Sequence, residues 1–305
     1  MRVHLRRFCA ALAFSSPLAA GAAHAVPFRY EGVCEASAAV GLGRSHFAVA
    51  SDETNRLTIY RRGQASPVRT VTAPDVTDIE AAARIGTTVF WLTSHSLNRD
   101  GEDKPKRKRL FAMSVRSGPT LVPAGTVYSD LRRVIAQALG RNEAELAQTL
   151  NIEGMASTRA RNLVVGLRAP LDPDGRAIVV RISRPFALVG LPQGHRSETV
   201  PPVSLLDLGG RGIRAIERIG SGARTFLIVA GPVADGGQPG PALFWWDGQN
   251  AVTPGPVAPD LAGMTPEALS ARSSRRVQVL GDNGSACSDE ADNPRWFPSI
   301  DLRIG

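Results

Sequence analysis

A glutamate with small or apolar neighbours, followed about ten residues later by a strongly apolar strand and a polar turn, recurs five times in this chain. The copies open at Cys34-Glu35-Ala36, Ile79-Glu80-Ala81, Ile152-Glu153-Gly154, Ile216-Glu217-Arg218 and Pro266-Glu267-Ala268. Self-similarity on this scale marks repeat architectures, in which each unit buries its faces against its neighbours. The apolar strands cover residues 46–50, 88–92, 163–167, 225–230 and 277–280. A third strand follows each turn, at 57–60, 110–115, 177–182, 242–246 and 296–304, and a fourth is readable in most copies, as at 68–72 and 203–208. Short period-2 runs bounded by Gly, Pro, Asn and Asp are strands. Four antiparallel strands per unit, repeated radially, predict an all-β fold, a five-bladed β-propeller with one helical insertion.

The intervals between the glutamates are 45, 73, 64 and 50 residues. The longest holds residues 128–150, where Leu131, Val134, Ile135, Leu139 and Leu146 fall at helical spacing. Asp130 is placed as an N-cap and Gly140 as a break, so a helical insertion is expected there and not a sixth blade. The last unit lacks a fourth strand, and residues 26–30, left over before the first glutamate, supply one. That pairing removes an exposed edge. It also carries Cys34 towards Cys287 in a turn of the last blade, which predicts a disulfide stapling the ring. Two unrelated buried thiols are the alternative.

Residues 1–25 read as a cleaved export signal: Arg2, Arg6 and Arg7 precede an apolar run, and Ala23-His24-Ala25 resembles a cleavage site. The run is far shorter than the ~20 residues of a spanning helix. Residues 26–305 then form a single propeller domain, periplasmic or secreted, without a membrane span and expected to be a monomer. Export also takes three Arg and no acids from the formal +8, leaving 33 basic against 28 acidic residues. This modest excess, with aromatic residues at 6%, disfavours nucleic acid as a partner.

Strand direction alternates within a blade, so the repeated glutamates and the turns after each second strand share one face. Glu35, Glu80, Glu153, Glu217 and Glu267 should therefore ring the mouth of the central channel, beside Asp52, Ser94, His95, Arg168 and Asp282. Five bare carboxylates would repel, and need cations, partners or protons. Calcium fits, since it accepts six to eight oxygen ligands in flexible geometry; Arg168 and Arg214 are possible built-in counter-ions. The bland alternative is that each glutamate accepts backbone hydrogen bonds from the next blade. His95 is a candidate general base near neutral pH, or else a hydrogen-bonded turn residue. All three lysines of the chain, Lys104, Lys106 and Lys108, lie in the loop 99–109, which can attract an anionic ligand or remain a solvated surface loop.

No G-x-S-x-G, C-x-x-C, H-E-x-x-H or P-loop occurs, which removes support for a serine hydrolase, a structural zinc site or nucleotide binding of that type. Asp172-Pro173-Asp174-Gly175 reads as a hairpin turn.

Asn151-Ile152-Glu153-Gly154-Met155-Ala156, Thr93-Ser94-His95-Ser96 with its basic loop, and Gly166-Leu167-Arg168-Ala169-Pro170 together resemble a bacterial family of exported β-propellers carried as a domain of unknown function. The Ile-Glu-Gly-Met element is also similar to phytase-type esterase-like propellers. More distantly it is similar to calcium-dependent apyrases, whose five-bladed propeller holds calcium through one residue per blade. That last resemblance implies calcium ligation by Glu35, Glu80, Glu153, Glu217 and Glu267, although glutamate in all five copies departs from the apyrase pattern.

The reading that follows is a calcium-dependent hydrolase of anionic esters such as phosphoesters. His95, Asp52 and Glu153 are its acid/base candidates; Arg168, Lys104, Lys106 and Ser94 would bind the substrate. The alternatives are a non-catalytic ligand-binding or scaffold propeller and, more weakly, a sugar or lactone hydrolase using paired carboxylates.

Overall fold

The structure, a computed structural model, describes residues 27–52, 54–192, 201–257, 261, 263–283 and 295–304. Five four-stranded antiparallel sheets make five blades. The first strand, β1 (Phe28–Glu31), belongs to the last blade. Blade one holds β2 (Ala38–Gly41), β3 (His46–Ala50), β4 (Arg56–Arg61) and β5 (Arg69–Thr72). Blade two holds β6 (Ile79–Ile85), β7 (Thr88–Thr93), β8 (Leu110–Arg116) and β9 (Thr120–Tyr128). Blade three holds β10 (Asn151–Ser157), β11 (Leu163–Ala169), β12 (Ala177–Ile182) and β13 (Val203–Leu206). Blade four holds β14 (Gly212–Arg218), β15 (Phe226–Gly231), β16 (Ala242–Trp246) and β17 (Val252–Pro254). Blade five holds β18 (Thr265–Ser273), β19 (Arg276–Asp282), β20 (Trp296–Arg303) and β1.

The inner strands pack in order around the axis, and β18 meets β2 to complete the circle. Among the described residues the buried apolar side chains fall into five clusters, each wedged between successive blades. β7 and β15, buried along their whole length, are the near-continuous apolar runs of the sequence. Packing between blades also explains the Ile-Glu-Gly element. A Cβ at Gly154 would lie 2.6 Å from the Ile213 methyl of the next blade, and one at Gly166 would lie 2.7 Å from it. Only glycine lets blades three and four approach this closely.

Closure follows the expected route. Tyr30 of β1 pairs with Phe297 of β20, stacks on its ring at 5.3 Å, and meets Phe47 and Tyr60 of blade one edge-on at 5.1 and 5.2 Å. The Tyr60 hydroxyl donates to the Glu31 carbonyl at 2.7 Å, and Gln278 donates to Ser299 at 2.7 Å. Cys34 is buried, and its carbonyl accepts from the Asn283 N–H at 3.4 Å; Cys287 lies outside the described residues, and the expected pairing with it.

The insertion is two short helices, α1 (Leu131–Leu139) and α2 (Glu143–Ala147). Asp130 occupies the N-cap position of α1 without a capping side-chain bond, pairing instead with Arg133 at 3.3 Å, and Gly140 ends the helix in a left-handed conformation. Arg132 of α1 is buried and reaches back to the long loop of blade two. Its guanidinium grips Asp103 through two bonds of 2.9 and 3.0 Å and donates to the His95 carbonyl at 2.8 Å. The insertion thus fixes the loop that overhangs the channel mouth. Among the described residues no helix is long and apolar enough to cross a membrane.

Candidate functional site

The channel mouth opens into a cavity of ≈ 680 Å3 lined by carboxylates and guanidiniums from every blade. Its geometry comes from a device the sequence does not announce. In blades two to five the register of the inner strand slips between Ile79 and Ala81, Ile152 and Gly154, Ile213 and Ala215, and Pro266 and Ala268. The residue skipped at each bulge is Glu80, Glu153, Arg214 or Glu267. A bulge leaves one residue out of the ladder and re-aims its side chain, and all four line the cavity. Blade one contributes Ser37, which lines the narrowing below the cavity together with Glu80, Glu153 and Glu267.

This ring corrects the expected one. Glu217 does not belong to it: the true counterpart in blade four is Ile213-Arg214-Ala215, three residues upstream. Glu217 pairs in register with Leu227 and lines a separate pocket at the other end of the channel, beside Arg84 and Ser157. Burial there pushes its carboxyl up to about 8, against the pull of Arg218 and Arg62. Glu35 does line the cavity but not the narrowing, where Ser37 takes the place of blade one.

Ion pairing divides the ring. Glu153 Oε1 accepts from Arg168 Nη1 at 2.9 Å, and its Oε2 faces Arg214 Nε at 3.0 Å. Arg214 also pairs with Glu267, and Arg168 with Asp235 at 2.5 Å. With Asn151 donating to Glu153 Oε1 at 3.0 Å, both carboxylate oxygens of Glu153 are committed. Glu153 is a fixed anion, and the proton-transfer role expected for it is not what this geometry provides. Arg168, expected to bind substrate, is likewise engaged with protein carboxylates.

On the other side of the mouth, Asp52, Asp78 and Glu80 bring one carboxylate oxygen each to within 4.8 Å of one another. Asp78 was not anticipated. Its signal was the spacing Asp78-Ile79-Glu80, repeated as Asn151-Ile152-Glu153, which puts two polar side chains of one strand end on the channel side. The backbone of Asp78 is left-handed, with φ 63°, a conformation that costs of order 1–3 kcal/mol and concentrates at functional sites. Its N–H donates to the Asp52 carbonyl at 2.8 Å, and its carbonyl accepts from Ser94 at 3.0 Å, so blades one and two are tied at this point.

Burial raises the Asp78 carboxyl to about 6, against the opposing effects of Arg107 and the Ser94 hydroxyl. Glu80 is raised well above the ordinary carboxyl range, by burial first and then by Asp78 and Glu153. Asp52 Oδ1 and Asn151 Oδ1 are buried oxygens with no hydrogen-bond partner among the described residues. Crowded, desolvated oxygens of this kind are the donor set of a hard divalent cation, and the cluster can hold a metal ion.

Several expected site residues stand elsewhere. His95 is fully buried with φ 57° and does not line the cavity. Its Nδ1 meets the Thr93 carbonyl at 3.0 Å, and burial lowers it to about 4, so the ring is neutral and serves the turn, not proton transfer at the mouth. Ser94 is also buried and acts through Asp78, to which it donates.

Lys104 and Lys106 point to solvent and pair with Glu102 and Asp75, each at 2.6 Å. From that loop it is Arg99 and Arg107 that reach the cavity. Arg107 Nη2 lies 2.5 Å from Asp78 Oδ2 and donates to Ser96 Oγ at 2.7 Å. Lys104 and Lys106 thus face solvent, and Arg107, held by two serines and an aspartate, faces the cavity.

No protein-family model matches the chain, and no curated protein matches it. Solved structures with a similar fold include Myxococcus xanthus glutaminyl cyclase, 14% identical over 91% of this chain and 96% of that one, with a TM-score of 0.49. The PQQ-bound aldose sugar dehydrogenase of Streptomyces coelicolor is 12% identical over 90% and 96%, with a TM-score of 0.37. The β-propeller domain of Cps50 (Swd1) from Myceliophteria thermophila is 10% identical over 89% and 98%, with a TM-score of 0.38. The five-bladed assignment rests on the strand order itself.

Proposed function

We propose that the channel mouth binds a divalent cation, calcium by its all-oxygen donor set, and that the cation and the neighbouring arginines form the site of a hydrolase acting on anionic esters such as phosphoesters. The observation that carries this reading is the convergence of Asp52, Asp78 and Glu80, with one oxygen from each within 4.8 Å of the others. Bound there, the cation would polarise a phosphoryl or carbonyl oxygen and lower the pKa of a water. The protein's own part is positional. Arg107 holds Asp78 and presents positive charge to the cavity together with Arg99. Arg168 and Arg214 cancel Glu153 and Glu267, so an entering anion does not meet a wholly acidic wall. The reading of residues 1–25 as an export leader, with Arg2, Arg6 and Arg7 before an apolar run, supports an exported, periplasmic or secreted protein.

The resemblance to phytase-type and apyrase propellers is consistent with this reading through the Ile152-Glu153-Gly154 element alone. A second reading, a non-catalytic ligand-binding propeller, is favoured by one observation: neither His95 nor Ser94 lines the cavity. A panel of chromogenic phosphate and carboxylate esters separates the two. Catalysis requires turnover that depends on calcium and is lost in Glu80→Gln. Turnover indifferent to that substitution, or none with any ester, favours the binding reading.

A further inference from the structure

The central cavity continues sideways into a second cleft of ≈ 440 Å3 between blades four and five, and Arg214, Asp235, Glu267 and Asp282 line both. One wall is the end of β15 at Gly231 and the loop to β16, with Pro232, Gly236, Gly237, Gly240 and Pro241; the other is Met264 and Thr265 at the start of β18. The loop is anchored at both ends. Arg168 Nε donates to the Pro232 carbonyl at 3.1 Å, and Arg211 Nε to the Gly240 carbonyl at 2.7 Å. The cleft is therefore preformed, and its volume lies within the about 300–1,000 Å3 typical of small-molecule sites.

Its chemistry differs from that of the centre. Of the carboxylates at the shared boundary, Asp235 is paired with Arg168 and Glu267 with Arg214, and Asp282 adds a third carboxylate to the lining. Beyond them the described lining residues offer no lysine and no second arginine, so another phosphate group would find no counter-charge. What remains is the Gln238 amide, the Thr265 hydroxyl, glycine backbone and the apolar faces of Pro241 and Met264. That mixture suits a molecule with hydroxyl edges and an apolar C–H face.

We propose that this cleft receives an uncharged, polyhydroxylated body, of the sugar class, attached to the single anionic group held at the mouth. The inference rests on the anion-binding reading above and narrows its substrate class to sugar esters bearing a single anionic group, such as one phosphate, against polyphosphorylated ligands.

Calorimetric titration of the full chain in millimolar calcium tests it with three probes: methyl phosphate, glucose 6-phosphate and uncharged methyl glucoside. A Cβ at Gly240 meets nothing within 4 Å and the residue lacks a positive φ, so Gly240→Trp places a ring in open space. The wild type should bind glucose 6-phosphate at least about tenfold more tightly than methyl phosphate. Gly240→Trp should erase that advantage, leaving methyl phosphate affinity and calcium stabilisation unchanged, and Thr265→Ala should reduce it several-fold.

Equal affinity for the two phosphates, or an advantage that survives Gly240→Trp, overturns the proposal. If neither phosphate binds, the anion reading fails. The cleft is then judged by the glucoside: binding lost in Gly240→Trp upholds a sugar site, and absence of binding refutes it.

Discussion

On the side of blades three to five, Glu153 pairs with Arg168 and Arg214 at 2.9 and 3.0 Å, and Arg214 also pairs with Glu267. On the side of blades one and two, Asp52, Asp78 and Glu80 crowd together, and the guanidinium paired with this cluster among the described residues is that of Arg107, bound to Asp78 at 2.5 Å. The same bulge position serves both sides. In blade four the bulge holds an arginine, and that single exchange converts a repelling ring into a neutralised half and an acidic half. A propeller can thus seal part of its channel with internal ion pairs while leaving the rest to protons or a cation.

Breaking the neutralised half should have the largest effect. Removing one partner from a buried pair costs about 3–5 kcal/mol, and each kcal/mol lowers Tm by about 2–4 °C in a domain of this size. Arg214→Met leaves Glu153 and Glu267 facing each other, and thermal unfolding should show a fall in Tm on the order of 10 °C. The opposite sign is expected on the acidic half. Glu80→Gln removes a carboxylate that is costly to ionise, so without metal at pH 8 its Tm should rise by a few degrees while any response to calcium disappears.

The acidic half also sets a pH dependence. The folded-state pKa values of Asp78, about 6, and of Glu80 lie above their unfolded values. The folded protein therefore holds these protons more tightly, and their contribution to stability is complete below about pH 4 and lost as pH rises through the folded values. Metal-free Tm should decline between pH 4 and pH 7. Glu217, at the far end of the channel and raised to about 8, adds a decline of the same sign that starts in the same range and extends to about pH 8. Melting curves of Glu217→Gln should show a shallower decline from about pH 4 to pH 8, with the part above pH 7 abolished. A Glu217→Gln profile unchanged throughout would mean that this carboxyl is not held protonated.

How much of this was legible beforehand follows from the kind of signal each feature leaves. Strands such as 177–182 and 242–246, and the closing strand before Glu31, follow from period-2 apolar runs and an unfilled edge. The insertion follows from Leu131, Ile135 and Leu139 at helical spacing. The ring was harder, because a bulge shifts phase without changing composition. Ile216-Glu217-Arg218 carries the glutamate of the repeat while Ile213-Arg214-Ala215 has only its flanks, and it is the pairing of Ile213 with Ala230 and Ala215 with Val229 that places Arg214 at the bulge. His95 and the lysines misled for another reason: residue type does not say which way a turn points its side chain.

The smallest effect should come from those lysines. Lys104→Ala and Lys106→Ala break exposed pairs worth about 0–1 kcal/mol, so Tm and anion binding should stay near wild type, whereas Arg107→Gln should weaken anion binding and lower the affinity for calcium.

Calcium titration of the full-length chain at pH 8, read by calorimetry and by Tm, tests the cation site most directly. A ligand at a hundredfold excess over its Kd stabilises by about 2.7 kcal/mol. The site should bind one calcium per chain and raise Tm by several degrees, with the response lost in Glu80→Gln and Asp78→Asn and kept in Lys106→Ala. No heat and no shift in millimolar calcium, or a shift that persists in both carboxylate variants, would contradict it.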